Sequence, residues 1–410
     1  MSKILLINPL VKLNKGEGMQ KKDQNYIKKE NKGLVLDLIR TDGPLSRADI
    51  AKKTKMSPTT VSRIVASLIE LNLVEETDQY TTGVGRKASL LAVKADSFFS
   101  IGVEIDEKWV RMGMIDFLGH LIKTDEVITN VDDEPAVFVM KLKEMLERFM
   151  ANMAIQKDRI IGICIGVPGL INNLTGTVDI SAQLNWHNVS LASQLEREIG
   201  LKVMVDNELK LKAYAERLFG KGRESKKLLM IGFGSGVGSA LIIDGEIYRG
   251  HSNTAGEIGH TIVDPNGMLC PCGNFGCLQT YIAERFLLEE ASKKADVREL
   301  QDIIMAAKND EKWAVNIVER AVTYAAITIN NSVCVNNPDK VILTGSLIDQ
   351  SPYIREKILE MCDYQLWTPL KHSFTLEVSD LGSTGIVLGA GMIAQKHFIN
   401  QLNFEEELIL

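Results

Sequence analysis

The sequence predicts an α/β protein in two parts, a small helical head followed by a larger body of two similar lobes with a cleft. Three observations lead there. Residues 26–96 hold three short helical segments with recognisable caps and then two strand-like runs. From Phe98 a strand, strand, hairpin pattern appears, and it recurs from Leu228 with helical stretches between, as in a duplicated lobe. Charge also changes sign at that boundary. Up to Asp96 there are 17 Lys and Arg against 11 Asp and Glu, while the whole chain stands at −6, so the remainder carries −12. A basic head on an acidic body suits a nucleic-acid-binding module joined to something that does not bind nucleic acid.

In the head, Leu34, Val35, Leu38 and Ile39 fall at helical spacing and Gly43-Pro44 ends the first helix. Ser46 is placed to cap the second, with Asp49 three residues on as the acid of a capping box and Leu45 before it as a staple. Ser57-Pro58 opens the third: a cap, then a proline where a missing N–H does no harm. Val61, Ile64, Val65 and Leu68 form its buried stripe and leave Ser57, Thr59, Thr60, Ser62 and Arg63 to face outward near its start. Two short helices joined by a tight turn, the second presenting small polar and cationic side chains, make a helix-turn-helix suited to a major groove. The runs Leu73–Glu76 and Ser89–Val93 flank Gly83-Val84-Gly85-Arg86-Lys87, which reads as a wing with Arg86 and Lys87 directed at phosphates or a minor groove. The alternative for this winged head is a protein-interaction module.

Residues 1–25 have no pattern and are expected to lack structure; the body is expected over 97–398, with 399–410 as a tail. The composition is that of an ordinary globular protein. No run of eighteen uninterrupted apolar residues and no secretory signal pattern occurs, so no membrane span is expected and the cytoplasm is the expected location.

Lobe one is expected to open on Ser100–Ile105 and Val110–Ile115, with a later buried strand from Ile160 ending in Gly166-Val167-Pro168-Gly169. Helices are expected over Glu134–Met153 and Trp313–Val333. Trp186 in the loop after Asn185 reads as packing in preference to a sugar platform, and Cys164, Cys334 and Cys362 read as buried small residues. The densest chemistry lies in Glu257-Ile258-Gly259-His260 and the Cys270-Pro-Cys272-Gly-Asn-Phe-Gly-Cys277-Leu278-Gln279 that follows. His260, Cys270, Cys272 and Cys277, separated by Pro, Gly and Asn, suit a closed tetrahedral site for a soft metal; zinc is the expected ion, in a structural role. The alternatives are unconnected thiols or a single disulfide.

Glu-x-Gly-His followed by Cys-x-Cys-Gly-Asn-x-Gly-Cys-Leu resembles the signature of the ROK family of bacterial repressors and sugar kinases, over roughly Phe98 to Gln395. The resemblance implies a two-lobed actin-like fold, zinc on the His and the three Cys, and sugar hydroxyls on Glu257 and His260. It also implies that kinases of the family open on Gly-x-Asp-x-Gly-Gly-Thr, where this chain has Gly102-Val103-Glu104-Ile105-Asp106-Glu107-Lys108. Asp106 and Glu107 would place two acids before a triphosphate. Where such kinases read Asn-Asp-x-Asn, this chain reads Asn207-Glu208-Leu209-Lys210, so a Glu stands at the base position and its carboxylate is displaced. The Gly232–Gly238 loop survives, but glycines serve the turn itself. Asn207 and Glu208 remain candidate sugar contacts, and Gln279, where kinases have Glu, can still bond hydroxyls. The expectation is therefore a homodimeric, sugar-responsive repressor that binds double-stranded operator DNA and a monosaccharide effector, is not an enzyme, and uses no ATP. Xylose is the effector that the resemblance suggests, with glucose and N-acetylated hexosamines open; a regulated sugar kinase, or a repressor controlled by a partner protein, are the rivals.

Overall fold

A computed structural model describes residues 31–77, 89–129, 133–153 and 155–401. The segment 1–25, the wing tip with Arg86 and Lys87, and the end of the chain beyond 401 lie outside the described residues. The chain divides into two compact units, one of 1–97 with 397–410 and one of 98–396.

The head runs α1 (31–42), β1 (Leu45–Ser46), α2 (Arg47–Thr54), α3 (Pro58–Glu70), β2 (Val74–Thr77) and β3 (Leu90–Val93), with the strands ordered β1-β3-β2. Its helix starts follow from the residues that open them. Ser46 Oγ accepts from the Asp49 amide at 3.1 Å and Asp49 Oδ2 accepts from the Ser46 amide at 3.3 Å, which completes a capping box. Ser57 Oγ takes the Thr60 amide at 3.1 Å, with Pro58 at the first helical position. Val61, Ile64, Val65 and Leu68 are all buried. In α1 the buried face is Val35, Leu36 and Ile39, and Leu34 is 51% exposed, so the face is rotated from the one the sequence spacing suggested. Leu36 wins the interior place; an apolar run offers more than one face, and tertiary contact selects among them.

The body begins with β4 (Phe99–Ile105), β5 (Trp109–Asp116), β6 (Leu121–Ile128), α4 (Pro135–Ala151) and β7 (Ile160–Val167). There follow β8 (Leu170–Asn172), β9 (Thr177–Ser181), β10 (Trp186–Val189), α5 (Leu191–Ile199), β11 (Val203–Asn207) and α6 (Glu208–Leu218). The second lobe has β12 (Lys227–Phe233), β13 (Val237–Ile243), β14 (Glu246–Tyr248), α7 (Gln279–Ile282), α8 (Glu284–Ser292), α9 (Leu300–Lys308) and α10 (Lys312–Asn336). It closes with β15 (Lys340–Thr344), α11 (Ser346–Asp349), α12 (Pro352–Gln365), β16 (Thr375–Val378) and α13 (Gly385–Gln401).

The two large sheets have the same connectivity. One is ordered β11-β7-β4-β5-β6 and the other β14-β13-β12-β15-β16. Each has three consecutive antiparallel strands and then two strands that join parallel to the first through helical crossovers. The repeated strand, strand, hairpin pattern is thus a complete topological repeat. Asp244 (φ 51°) and Gly245 (φ 86°) make the tight hairpin between β13 and β14.

Between the sheets run α6 and α13. Ala213 packs among Leu228, Met230, Ala240, Ile242 and Ile342 of lobe two, and Leu211 packs with Cys164 of lobe one and Ala390 and Ala394 of α13. Glycine permits these approaches: a Cβ at Gly389 would come within 1.9 Å of the Leu211 carbonyl, and one at Gly102 equally close to that of Val387. Because α6 is covered on several sides, Lys210, Lys212 and Glu216 are all buried along with its apolar residues. Glu216 is satisfied there by the Lys221 amide at 2.9 Å and the Ser379 hydroxyl at 2.6 Å. Trp186 is buried edge-to-face on Phe138, their centroids 5.1 Å apart, so it is packing. Cys164 and Cys362 are buried, but Cys334 is exposed on α10, one step past the buried Ser332 and Val333 and turned off their stripe. Among the described residues no helix is long and apolar enough to cross a membrane.

Candidate functional site

The loop between β14 and α7 is folded by its own backbone into a knot of turns. The Cys270 amide donates to the Asn274 carbonyl and the Gly273 amide to the Cys270 carbonyl, both at 2.8 Å. Gly273 and Gly276 take positive φ, and a Cβ at Gly276 would overlap the Asp264 carbonyl at 1.5 Å, so that turn needs glycine. These turns gather one donor atom each from His260, Cys270, Cys272 and Cys277, all within 4.8 Å of one another. Cys272 Sγ lies 3.6 Å from Cys277 Sγ, and His260 Nδ1 3.8 Å from Cys270 Sγ. Tetrahedral bonds of ~2.3 Å to sulfur put ligands just under 4 Å apart, so the four atoms fit a metal ion of that geometry. The three cysteines are free thiols, not a disulfide. Desolvation and Arg285 both hold the His260 imidazole below its ordinary pKa, in the neutral form that a metal requires.

Glu257 immediately precedes the short turn Ile258–His260, so its carboxyl and the His260 ligand share one backbone turn. Burial raises the Glu257 carboxyl, and Lys210 opposes that rise. Lys210 Nζ donates to the Asn253 carbonyl at 2.5 Å. Asn253 in turn receives Arg249 Nη1 at 2.9 Å, and Arg249 forms a two-pronged pair with the buried Asp206 at 2.6 and 3.0 Å. A connected network thus ties the end of β11 and the start of α6 to the loop after β14. Asn207 is the N-cap of α6: its Oδ1 accepts from the Leu209 and Lys210 amides, and its Nδ2 donates to the Gly169 carbonyl at 3.1 Å. Its side chain holds the cleft wall together. Gln279 is buried, and its Nε2 donates to Cys270 Sγ at 3.0 Å.

Around the start of α6 the neighbouring side chains are mainly acidic, with Lys212 as a buried cation. Glu208 is partly shielded, and its carboxyl is pushed up to about 7, by desolvation first and then by Asp106 and Glu107, with Lys212 working against them. Glu104 is buried and pushed up to about 8 by desolvation, although Arg111 Nη1 lies 2.9 Å from it; Glu208 and Asp106 add to the rise and Lys212 opposes it. Partial desolvation raises the half-buried Asp106 and, together with the Asp106 charge, the more exposed Glu107. Lys212 donates to Thr344 Oγ1 at 2.7 Å and lies 3.4 Å from Asp349 Oδ2, beside the turn at Gly345. Arg111 also donates to the Ser383 carbonyl at 2.6 Å and stacks 4.1 Å over Trp109. Arg111 and Lys212 offset part of this acidity through bonds made between lobe one, α6 and lobe two.

In the head, Ser57, Thr59, Ser62 and Arg63 are exposed along the start of α3. Thr60 is half-buried and its hydroxyl lies 2.8 Å from Ser57 Oγ, so both join the cap.

Sequence reasoning passed over Lys212, Arg249, Asn253 and Arg111. A signal for Lys212 did exist: Lys210 and Lys212 bracket Leu211 and precede Ala-Tyr-Ala, a segment too apolar to be wholly solvated. Arg249 and Asn253 have none, since only the fold brings them to Asp206.

A structure of a ROK family transcriptional regulator, a homologue of the E. coli MLC protein, superposes with a TM-score of 0.77 at 24% identity, over 92% of this chain and 97% of that one. A ROK glucokinase from Streptomyces griseus, solved with glucose and AMPPNP, superposes with a TM-score of 0.62 at 23% identity, over 73% of this chain and 99% of the kinase. Both establish the two-lobed actin-like fold. The xylose repressor of Bacillus spizizenii is 30% identical over 378 residues, 92% of this chain and 98% of its own length. The MarR family model matches residues 31–83, the winged helix-turn-helix, and the ROK family model matches residues 101–397. The chain belongs to the ROK family and carries a MarR-like head before its ROK body.

Proposed function

We propose that this chain is a sugar-responsive transcriptional repressor, which binds double-stranded operator DNA through α3 and releases it when a monosaccharide enters the cleft of the body. The carrying observation is a MarR-like head joined to a ROK body whose phosphate end is filled by Asp106, Glu107, Glu208 and the internally bonded Lys212. A triphosphate there would meet carboxylates in a partly desolvated cleft, and the Glu at the base position carries its carboxylate one methylene away from where an Asp would hold it. The cycle is therefore not enzymatic and needs no nucleotide.

Glu257 and His260 contact sugar hydroxyls, with Glu208 and Asn207 on the facing wall. Zinc on His260, Cys270, Cys272 and Cys277 supplies structural bonds that fix the loop carrying both contacts. Ser57, Thr59, Ser62 and Arg63 read or grip the groove, with Thr60 fixing the helix start and Arg86 and Lys87 adding charge from the wing. Two heads in a homodimer match a palindromic operator, since one head covers too few base pairs for specificity. The sugar acts by its differential affinity for the DNA-free state. Xylose is the first sugar to try, because a xylose repressor is 30% identical over nearly the whole chain.

A gel shift on the DNA upstream of this protein's gene, with a panel of monosaccharides and no ATP, tests the reading. Release by one sugar is expected. Binding indifferent to every sugar would move the trigger to a partner protein, and sugar-dependent ATP turnover would restore the kinase.

A further inference from the structure

Gln279 stands beside the metal ligands without being one. It opens α7 two residues after Cys277, and the Thr280 amide donates to the Cys277 carbonyl at 3.0 Å, which anchors the turn to that ligand. Its side chain reaches back to a second ligand: Nε2 lies 3.0 Å from Cys270 Sγ, and both residues are buried, Gln279 at 7% and Cys270 at 1% exposure.

The chemistry of the ligand set explains why an amide is wanted there. Three thiolates and a neutral imidazole around a dication leave one net negative charge, with two of the sulfurs buried. An N–H directed at sulfur spreads that charge, as a charge-assisted hydrogen bond does. A hydrocarbon at the same position would leave the thiolate unsolvated.

We propose that Gln279 is a positioning residue of the metal centre: its carboxamide holds the Cys270 thiolate, and through it the loop that presents His260 and Glu257 to the cleft. This rests on the metal reading above. The residue is then chosen for the metal and not for the sugar, and its nitrogen is not the hydroxyl donor expected from its position.

The experiment uses the full-length protein with zinc, cobalt or cadmium, and the variants Gln279→Leu and Gln279→Met. Competition against a chromophoric chelator is expected to show roughly 10- to 100-fold weaker metal retention in both. In the cobalt-loaded Leu and Met variants the thiolate-to-metal charge-transfer band is expected at longer wavelength, because a sulfur relieved of its hydrogen bond gives up electrons more readily; a purely steric role would leave it in place. Wild type that retains no metal refutes the metal reading. Wild type that retains it, with Leu and Met variants equal in retention and band position, overturns the role of Gln279. A readout on wild type alone stands apart from variant folding: in the cadmium-113 protein the Gln279 side-chain amide proton should show scalar coupling to the metal through sulfur, and its absence also overturns the proposal.

Discussion

Replacing Glu208 by Gln is expected to stabilise the body above neutral pH and to do little below pH 5. The carboxyl sits at about 7 in the fold against an ordinary value of 4.5, and desolvation is the main cause. A raised acid favours the fold while it is protonated. That contribution is complete below about pH 4.5 and is lost as pH rises through about 7, because the folded state binds the proton that the unfolded chain has released. At 1.36 kcal/mol for each pH unit between the two values, the ionised group costs the fold up to about 3 kcal/mol at pH 8, an upper bound because Glu208 is coupled to Asp106 and Glu107. Gln keeps the shape and removes the charge. Chemical denaturation of both proteins at pH 5 and pH 8 measures the difference, and comparing them at one pH cancels the titration of the metal ligands. An advantage for the variant that appears only at pH 8 supports the assignment. Equal stability at both pH values, or a variant weaker at pH 8, would refute the desolvated carboxyl and point to a well-solvated or tightly paired one.

Lys212→Met removes the ammonium held by Thr344 and Asp349 and with it the cation that opposes the raised Glu208. A loss of about 1–3 kcal/mol is expected in the same denaturation assay, limited by the partial exposure of Asp349, and wild-type stability would show that the cation is not held there. Arg63→Ala should weaken operator binding, read by anisotropy at several salt concentrations. If Arg63 grips a phosphate, the salt slope falls by about 1; if it reads a base, about 1–3 kcal/mol is lost and one operator position becomes tolerant. Unchanged affinity and slope would take Arg63 out of the interface.

Where structure is set by neighbours in sequence, the chain was legible. Ser46 with Asp49 and Ser57 with Pro58 mark helix starts through bonds made within three residues, and α3 buries the stripe its spacing indicates. The metal loop was legible for the same reason, since its four donors lie within eighteen residues and are joined by turns. What the sequence did not reveal depends on surfaces from elsewhere in the chain. Leu36 displaces Leu34 from the interior, Cys334 turns outward by one helical step, and Lys212 finds Thr344 across more than a hundred residues. For Asn207 and Gln279 the sequence did not reveal which atom each amide group meets. The cap of α6 claims the first and Cys270 the second.

The coupling between sugar and DNA tests the central claim most directly. Calorimetry would measure the affinity of the releasing sugar for the free protein and for the protein saturated with operator, without nucleotide. Linkage requires the sugar to bind the DNA-bound form more weakly by the same factor by which it weakens DNA binding, and a factor of roughly 5 to 150 is usual for such couplings. That reciprocity is the expected result. A sugar that binds both forms equally would contradict a sugar-operated repressor.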